Sequence, residues 1–483
     1  MTTQIFIWWL VAQALGLAGL PLARFAFRAL PDRGYAFAKP LGLLLTGYVA
    51  WLIAMLGLAP FGAPLLVLSA LAVGGIGLFV TRRTMNDERR TTNDETHHTA
   101  RFSILNSQFS IPQNWRMILG YEALFALALV FLALLRSRDF DGFVGPNPWG
   151  TERPMDYALL NAIFRSASFP PHDPWLSGYS INYYYFGYLL MAVMATLSGL
   201  APSVAYNLSL ALIFALTALG VAGMVFNLIV LTTTDDRRPT TDDRATSYMS
   251  GRWSVVGRLA AIVLAVVLVL FAANQGGALQ IITGTPMAVA LEGPDLRRAI
   301  VNGLGPRQPL TLSRTFKGEY FDGTSVITPT SMLEAATTFN YWNPTRAVWD
   351  TYTQEGERSR HYAITEFPFF SFWLGDMHPH VMALPFGLLA LALALQTVAR
   401  RAAPPFAMGR RGWLELALTG IVLGSLYAIN SWDFPTYLLM FLGALLLLHI
   451  RLASRCGGVE EQARRAAEEQ GNDAAQEQAP PSV

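Results

Sequence analysis

The chain has 483 residues, of which 53% are hydrophobic and only 14% charged, with a formal net charge of +2. Soluble proteins carry roughly 25% charged residues, so the composition excludes an ordinary soluble domain, and the near-neutral balance leaves no electrostatic footprint for nucleic acid. The single cysteine, Cys456, excludes an internal disulfide and a cysteine-built metal site.

Apolar runs of about 20 residues predict membrane-spanning helices. The first, 5–22, carries its positive charge after it, at Arg24, Arg28, Arg33 and Lys39. A cleavable signal carries that charge before its apolar run, so this one reads as a retained span. Further spans are predicted at 41–59, 65–80, 117–135, 204–231, 255–273, 381–398, 413–429 and 434–450. Polar stretches at 82–113 and 232–246 separate them, and 274–365 is Gly-, Pro- and aromatic-rich with no span. The tail from Ala453 is rich in Ala, Glu and Gln and reads as frayed or disordered. The fold class expected is all-α, a polytopic transmembrane helix bundle whose outer loops, 137–182 and 274–380, bear short amphipathic helices. Three regions follow: a three-span part at 1–116, a membrane domain at 117–452 and a polar tail at 453–483.

Lys and Arg in short loops set the orientation. Arginines at 24–33, 82–90, 400–411 and 451–455 agree if the N-terminus is outside and the C-terminus cytoplasmic, in a multi-pass cell-membrane protein. The basic run at 237–252 also belongs inside, which requires that 183–200 not cross. That segment is short and opens with three tyrosines suited to an interface, so it reads as juxtamembrane or re-entrant. All the polar motifs then share the outer face.

The first outer loop contains Asp139-Phe-Asp141 and Glu152-Arg-Pro-Met-Asp156. Pro154 suits a first helical turn, and Met155, Ala158, Leu159, Ala162 and Ile163 recur at helical spacing. Asp156 falls at the margin of that stripe, poorly solvated, where a carboxylate can take a proton from an acceptor hydroxyl. It is the expected catalytic base, with Glu152 positioning it; first-turn acids also serve simply to complement the helix dipole. Asp141 offers hard oxygen for a divalent cation. Trp175, Asn182, Tyr183, Tyr184 and Tyr185 form a substrate platform of flat faces and polar tips, or an interfacial belt.

The second loop ends in Glu366-Phe-Pro-Phe-Phe-Ser and Asp376-Met-His378-Pro-His380. Pro379 favours an extended His378, and in an extended strand Asp376, His378 and His380 share one face. Such a trio can ligate a metal or grip a pyrophosphate. Arg346, between aromatics, is a phosphate clamp or an interface anchor, and Glu366 joins the substrate-binding set.

The motifs at 152–156, 169–175, 181–187 and 366–380 resemble those of the "YYY" family of uncharacterised polytopic membrane proteins, over roughly 117–450. That family is similar in layout to the GT-C glycosyltransferases, in which an acidic first outer loop supplies a base or metal ligand and the donor is a polyprenyl-phosphate sugar. The resemblance implies such roles for Glu152 and Asp156, with the bilayer and a polyprenyl-phosphate-linked sugar as partners and a divalent metal ion as cofactor. Arg153 and Pro154 stand where paired acids often fall. Family members are often longer, so the resemblance also implies a shortened version. Two other functions compete: a lipid or sugar transporter or flippase, which needs ionisable groups at mid-membrane, and a non-catalytic scaffold of an envelope assembly.

Overall fold

The computed structural model describes residues 1–92, 115–138, 152–235, 255–272, 275–285, 291, 293–317, 320–339, 342–346, 348–354, 357–400 and 409–454. Long apolar helices α1 (Thr2–Ala26), α2 (Ala38–Met55), α3 (Ala63–Thr92) and α4 (Trp115–Ser137) come first. Two short helices follow, α5 (Arg153–Arg165) and α6 (Tyr185–Ser198), then α7 (Pro202–Asp235) and α8 (Val255–Leu270). The chain closes with α12 (Pro368–Leu374), α13 (Pro379–Ala399), α14 (Gly409–Ile429) and α15 (Asp433–Ser454). Among the described residues eight helices are long and apolar enough to cross a membrane: α1 to α4, α7, α13, α14 and α15. The chain is thus an all-α polytopic membrane bundle, as its composition requires.

Among its described residues the segment before α12 has no helix long and apolar enough to span, as expected, but it is not merely loop. It holds α9 (Gly276–Thr283), α10 (Gly293–Leu304), α11 (Met332–Thr337) and a four-stranded sheet. The strands are β1 (Leu310–Lys317), β2 (Tyr320–Ile327), β3 (Val348–Gln354) and β4 (Glu357–Ala363), all paired antiparallel in the order β1-β2-β4-β3. Their Thr, Val, Tyr and Phe content is what a pleated surface favours.

Close helix approach rests on small residues, as in other membrane bundles. Gly19 of α1 faces the backbone of Ala38 and Gly42, and Gly42 faces the carbonyl of Leu15, so a methyl group at either would collide with main chain.

α6 lies inside the bundle, with every residue from Phe186 to Ala195 buried. Its 14 residues reach about 21 Å, short of the roughly 30 Å hydrocarbon core. Tyr188 in its first turn and Tyr206 near the start of α7 both hydrogen-bond the same carboxylate, Asp156. Asp156 thus ties the start of α6 to the start of α7.

The polar motifs gather at one end of the bundle. Arg136, closing α4, donates to Asn207 of α7 at 3.1 Å and to the Trp373 carbonyl of α12 at 2.9 Å. Phe271, just after α8, packs on Phe369 of α12 with ring centroids 5.0 Å apart. The opposite end carries the arginines that the positive-inside bias assigns to the cytoplasm. There Arg28 and Arg400 both pair with Glu415 of α14, and the Asp32 N–H donates to Asn227 of α7.

Candidate active site

Two sequence devices shape the site. Pro154 opens α5 within its first turn, placing Asp156 in that turn. Gly375 ends α12 at φ +82°, where other side chains are strained and where a methyl group would meet the Arg136 guanidinium. The chain then runs extended to His378, and Pro379 starts α13. This turn, 375–378, is brought onto Asp156.

Asp156 is fully buried, at 0% exposure. Its Oδ1 accepts the Tyr188 hydroxyl at 2.5 Å; its Oδ2 accepts the Met377 N–H at 3.0 Å and the Tyr206 hydroxyl at 3.4 Å. Tyr206 also donates to the Gly375 carbonyl at 2.9 Å. One carboxylate thus ties α5, α6, α7 and the turn together. The buried face of α5 consists of Arg153, Asp156, Leu159, Leu160 and Ile163. The expected stripe is therefore corrected: it is rotated so that Asp156 lies within it, because the carboxylate finds its partners there, while Ala158 and Ala162 turn to the other side.

Beyond Asp156 a chain of acids and histidine leads outward. Asp376 is buried, and its Oδ1 lies 3.4 Å from His378 Nδ1; His378 Nε2 lies 2.9 Å from Glu152 Oε2. Side-chain exposure rises along this line, from 7% at Asp376 through 24% at His378 to 56% at Glu152. Burial, then the charge of Asp376, pushes the Asp156 carboxyl well above its ordinary range. Burial also acts upward on Asp376, but the His378 hydrogen bond and charge, with the bond from Asp156, hold it below the usual value. A proton shared by the pair therefore favours Asp156 over Asp376. His378 is pulled down by burial, but the bond and charge of Asp376, and then Asp156 and Glu152, raise it to about 9.

One ligand atom from each of Asp156, Asp376 and His378 lies within 4.8 Å of the other two. Two carboxylates and an imidazole suit a divalent cation. Among the described residues no lysine or arginine pairs with either carboxylate, and His378 is the one basic side chain against them. His380 does not join this set. Pro379 begins a helix rather than continuing the strand, which breaks the expected alternation, and His380 Nε2 lies 3.5 Å from Ser371 Oγ and 4.0 Å from Glu366 Oε2. Asp141, the other expected metal ligand, lies outside the described residues.

Glu366 borders this second cluster. Burial and the charge of Asp376 raise its carboxyl, opposed by the charges of Arg346 and His378. Arg346 is buried, stacked 4.1 Å from the Trp342 ring centroid, with Nη1 donating to Thr345 Oγ1 at 2.6 Å. It flanks Glu366 from behind rather than opening to solvent.

The tyrosines form the other flank. Tyr183 is half-buried, and burial with the charges of Glu152 and Asp156 pushes its hydroxyl up to about 12. Its ring lies 5.2 Å from that of Tyr184, and the Tyr184 hydroxyl is 2.9 Å from Ser431 Oγ. Tyr185 accepts from Trp51 Nε1 at 2.9 Å. Asn182 through Phe186 line a groove of about 880 Å³ whose other walls are Tyr48 and Trp51 of α2 and the Gly420–Gly424 face of α14. Trp175 is 62% exposed, away from these contacts. Sequence reading missed Arg136, Tyr188 and Tyr206. Tyr188 lies one turn beyond the tyrosine triplet, which is a signal; the other two look like an ordinary span terminus and an ordinary span aromatic.

Fold and site together define a polytopic α-helical membrane protein with an acid–histidine cluster at one end of its bundle. Residues 45–476 match the family described as "Uncharacterized membrane protein (DUF2298)", and the chain belongs to that family. No curated protein and no solved structure matches it.

Proposed function

We propose that the chain is a membrane glycosyltransferase of GT-C type that moves a sugar from a polyprenyl-phosphate donor to an acceptor at the motif end of the bundle. One observation carries this reading: Tyr183 borders both the acid–histidine cluster and an apolar groove with aromatic walls. A lipid-linked phosphate needs that combination, a groove for its chain beside polar groups for its head. Glu152, the most exposed acid of the cluster, is the base. It takes the proton of an acceptor hydroxyl as that oxygen bonds to the anomeric carbon, and the bond from that carbon to the phosphate oxygen breaks, the phosphate leaving with the electron pair. His378 holds Glu152 from one side and Asp376 from the other. Asp156 is too deeply buried to meet an acceptor and positions the turn instead. A divalent cation, held by Asp156, Asp376 and His378, would offset the phosphate charge.

The test is transfer from radiolabelled polyprenyl-phosphate sugars by the full chain in proteoliposomes. Glu152→Gln should lose roughly 100- to 10,000-fold in rate, the usual cost of a missing general base, with unchanged insertion. No consumption of any lipid-phosphate sugar by the wild-type chain, or equal rates for Glu152→Gln, would remove the reading.

A further inference from the structure

We infer that the face of α5 turned away from Asp156 carries a second binding site, one for the sugar units of a saccharide. This deepens the transferase reading and rests on it for the role of acceptor, though not for binding itself. α5 has two working faces. Asp156, Leu159, Leu160 and Ile163 look into the bundle, while Ala158, Asn161, Ala162 and Arg165 line a hollow of about 530 Å³. The far wall is the bend that follows, from Ser166 to Pro174. Its volume falls in the range of small-ligand pockets.

Three features separate this hollow from an ordinary wet surface. First, the wall is rigid. The Phe61 N–H donates to the Ala167 carbonyl at 2.7 Å, the Ile181 N–H to Pro171 at 2.9 Å and the Asp173 N–H to Tyr179 at 2.9 Å. Phe169 is buried against Phe61, ring centroids 5.1 Å apart. Second, polar side chains converge on it with unspent capacity. Among the described residues Arg165, Ser168 and His172 have no side-chain partner. Asp173 uses Oδ1 for the Trp175 and Leu176 N–H groups, at 2.8 and 2.9 Å, and keeps Oδ2. Asn161 donates its amide to Tyr157 and keeps its carbonyl oxygen. Donors and acceptors are thus mixed, which suits hydroxyl groups that both give and accept, whereas a bare anion would use only donors. Third, the exposed Trp175 directly follows Pro174 of the wall in the chain, an aromatic with an apolar face and a polar edge beside the hollow's last lining residue. A pre-formed wall also lowers the ordering cost of binding.

The hollow begins at Ala158, six residues from Glu152, or about 9 Å along the helix. A saccharide of several units, reacting at Glu152 with one end, would seat its other units here.

The experiment is saturation-transfer NMR on the detergent-solubilised full chain. The probes are maltotriose, a glucuronate-containing disaccharide and inorganic phosphate. At least one saccharide should show saturation transfer that drops about fivefold or more, the worth of one or two hydrogen bonds, in an Arg165→Ala/His172→Ala double variant. In a Glu152→Gln background, where transfer is lost, the saccharide signal should still fall with Arg165→Ala/His172→Ala, so failure of this site and failure of the transferase reading are separable. Absence of signal from both saccharides, survival of the signal in the double variant, or phosphate binding alone would each overturn the inference.

Discussion

At one end of the bundle Glu415 is clasped by Arg28 at 2.7 Å and Arg400 at 2.8 Å, and nearby Glu122 takes Lys39 at 2.5 Å, Gln13 at 2.7 Å and Tyr35 at 2.9 Å. At the other end Asp156 and Asp376 are buried like Glu415, yet their partners are tyrosine hydroxyls, a main-chain N–H and a histidine. A buried carboxylate is expensive unless its charge is met. The first end meets the charge internally, with partners drawn from separate helices, so those acids hold the bundle together. The second end sets two carboxylates side by side and meets them with hydrogen bonds and one titratable histidine, so a charge is unmet whenever that histidine is neutral. Such an arrangement persists where the unmet charge has a use.

The sharpest way to break this comparison is to neutralise one acid at each end. Glu415→Gln leaves Arg28 and Arg400 without their counter-charge, which should cost about 3–5 kcal/mol of stability, as for other broken buried pairs. Thermal unfolding of the purified chain checks it; a change below about 1 kcal/mol would mean the arginines simply reach water. Asp376→Asn should behave differently. It removes the partner of His378 but also the charge that raises the Asp156 carboxyl, so the unfolding temperature should change less than for Glu415→Gln, while transfer falls at least about 100-fold with the lost ligand. Destabilisation like that of Glu415→Gln would make both ends structural.

The unmet charge can also be probed with a cation. Mn2+ at about 30 times its Kd should stabilise the wild-type chain by about 2 kcal/mol, and Asp376→Asn should lose that gain. In chelated protein His378 gives a pH signature. Its folded pKa, about 9, lies above the ordinary histidine value of 6.5. The stability it contributes is therefore complete below 6.5 and lost as pH rises through about 9. Unfolding curves of wild type and His378→Gln should converge across that window, and bound Mn2+ should flatten it by displacing the proton. Curves that stay parallel would contradict the ion pairing.

A smaller effect concerns the groove. A methyl group at Gly424 would meet nothing within 4 Å, so Gly424→Leu should insert without strain and partly fill the cavity. Transfer from a lipid-linked donor should drop about tenfold, about 1.4 kcal/mol, at unchanged unfolding temperature. Unchanged transfer would mean that the lipid chain lies elsewhere.

Local pattern alone determined the class of this protein. Apolar runs of membrane length, basic residues between them and Pro154 and Pro379 at helix starts are read within a few residues of chain, because helix formation and membrane insertion respond to local composition. The shortness of α6 and its opening tyrosines were legible, and the acids and histidines stood out as suspects. Their arrangement was decided by tertiary structure. Asp156 accepts from Met377, 221 residues away, and from Tyr206, an ordinary aromatic of a span. The same packing turned α5 to bury Asp156, left Glu152 as the accessible acid and sent His380 to Ser371 and Glu366. A carboxylate's protonation, exposure and role depend on which distant groups share its dielectric environment, and no spacing within the chain encodes that.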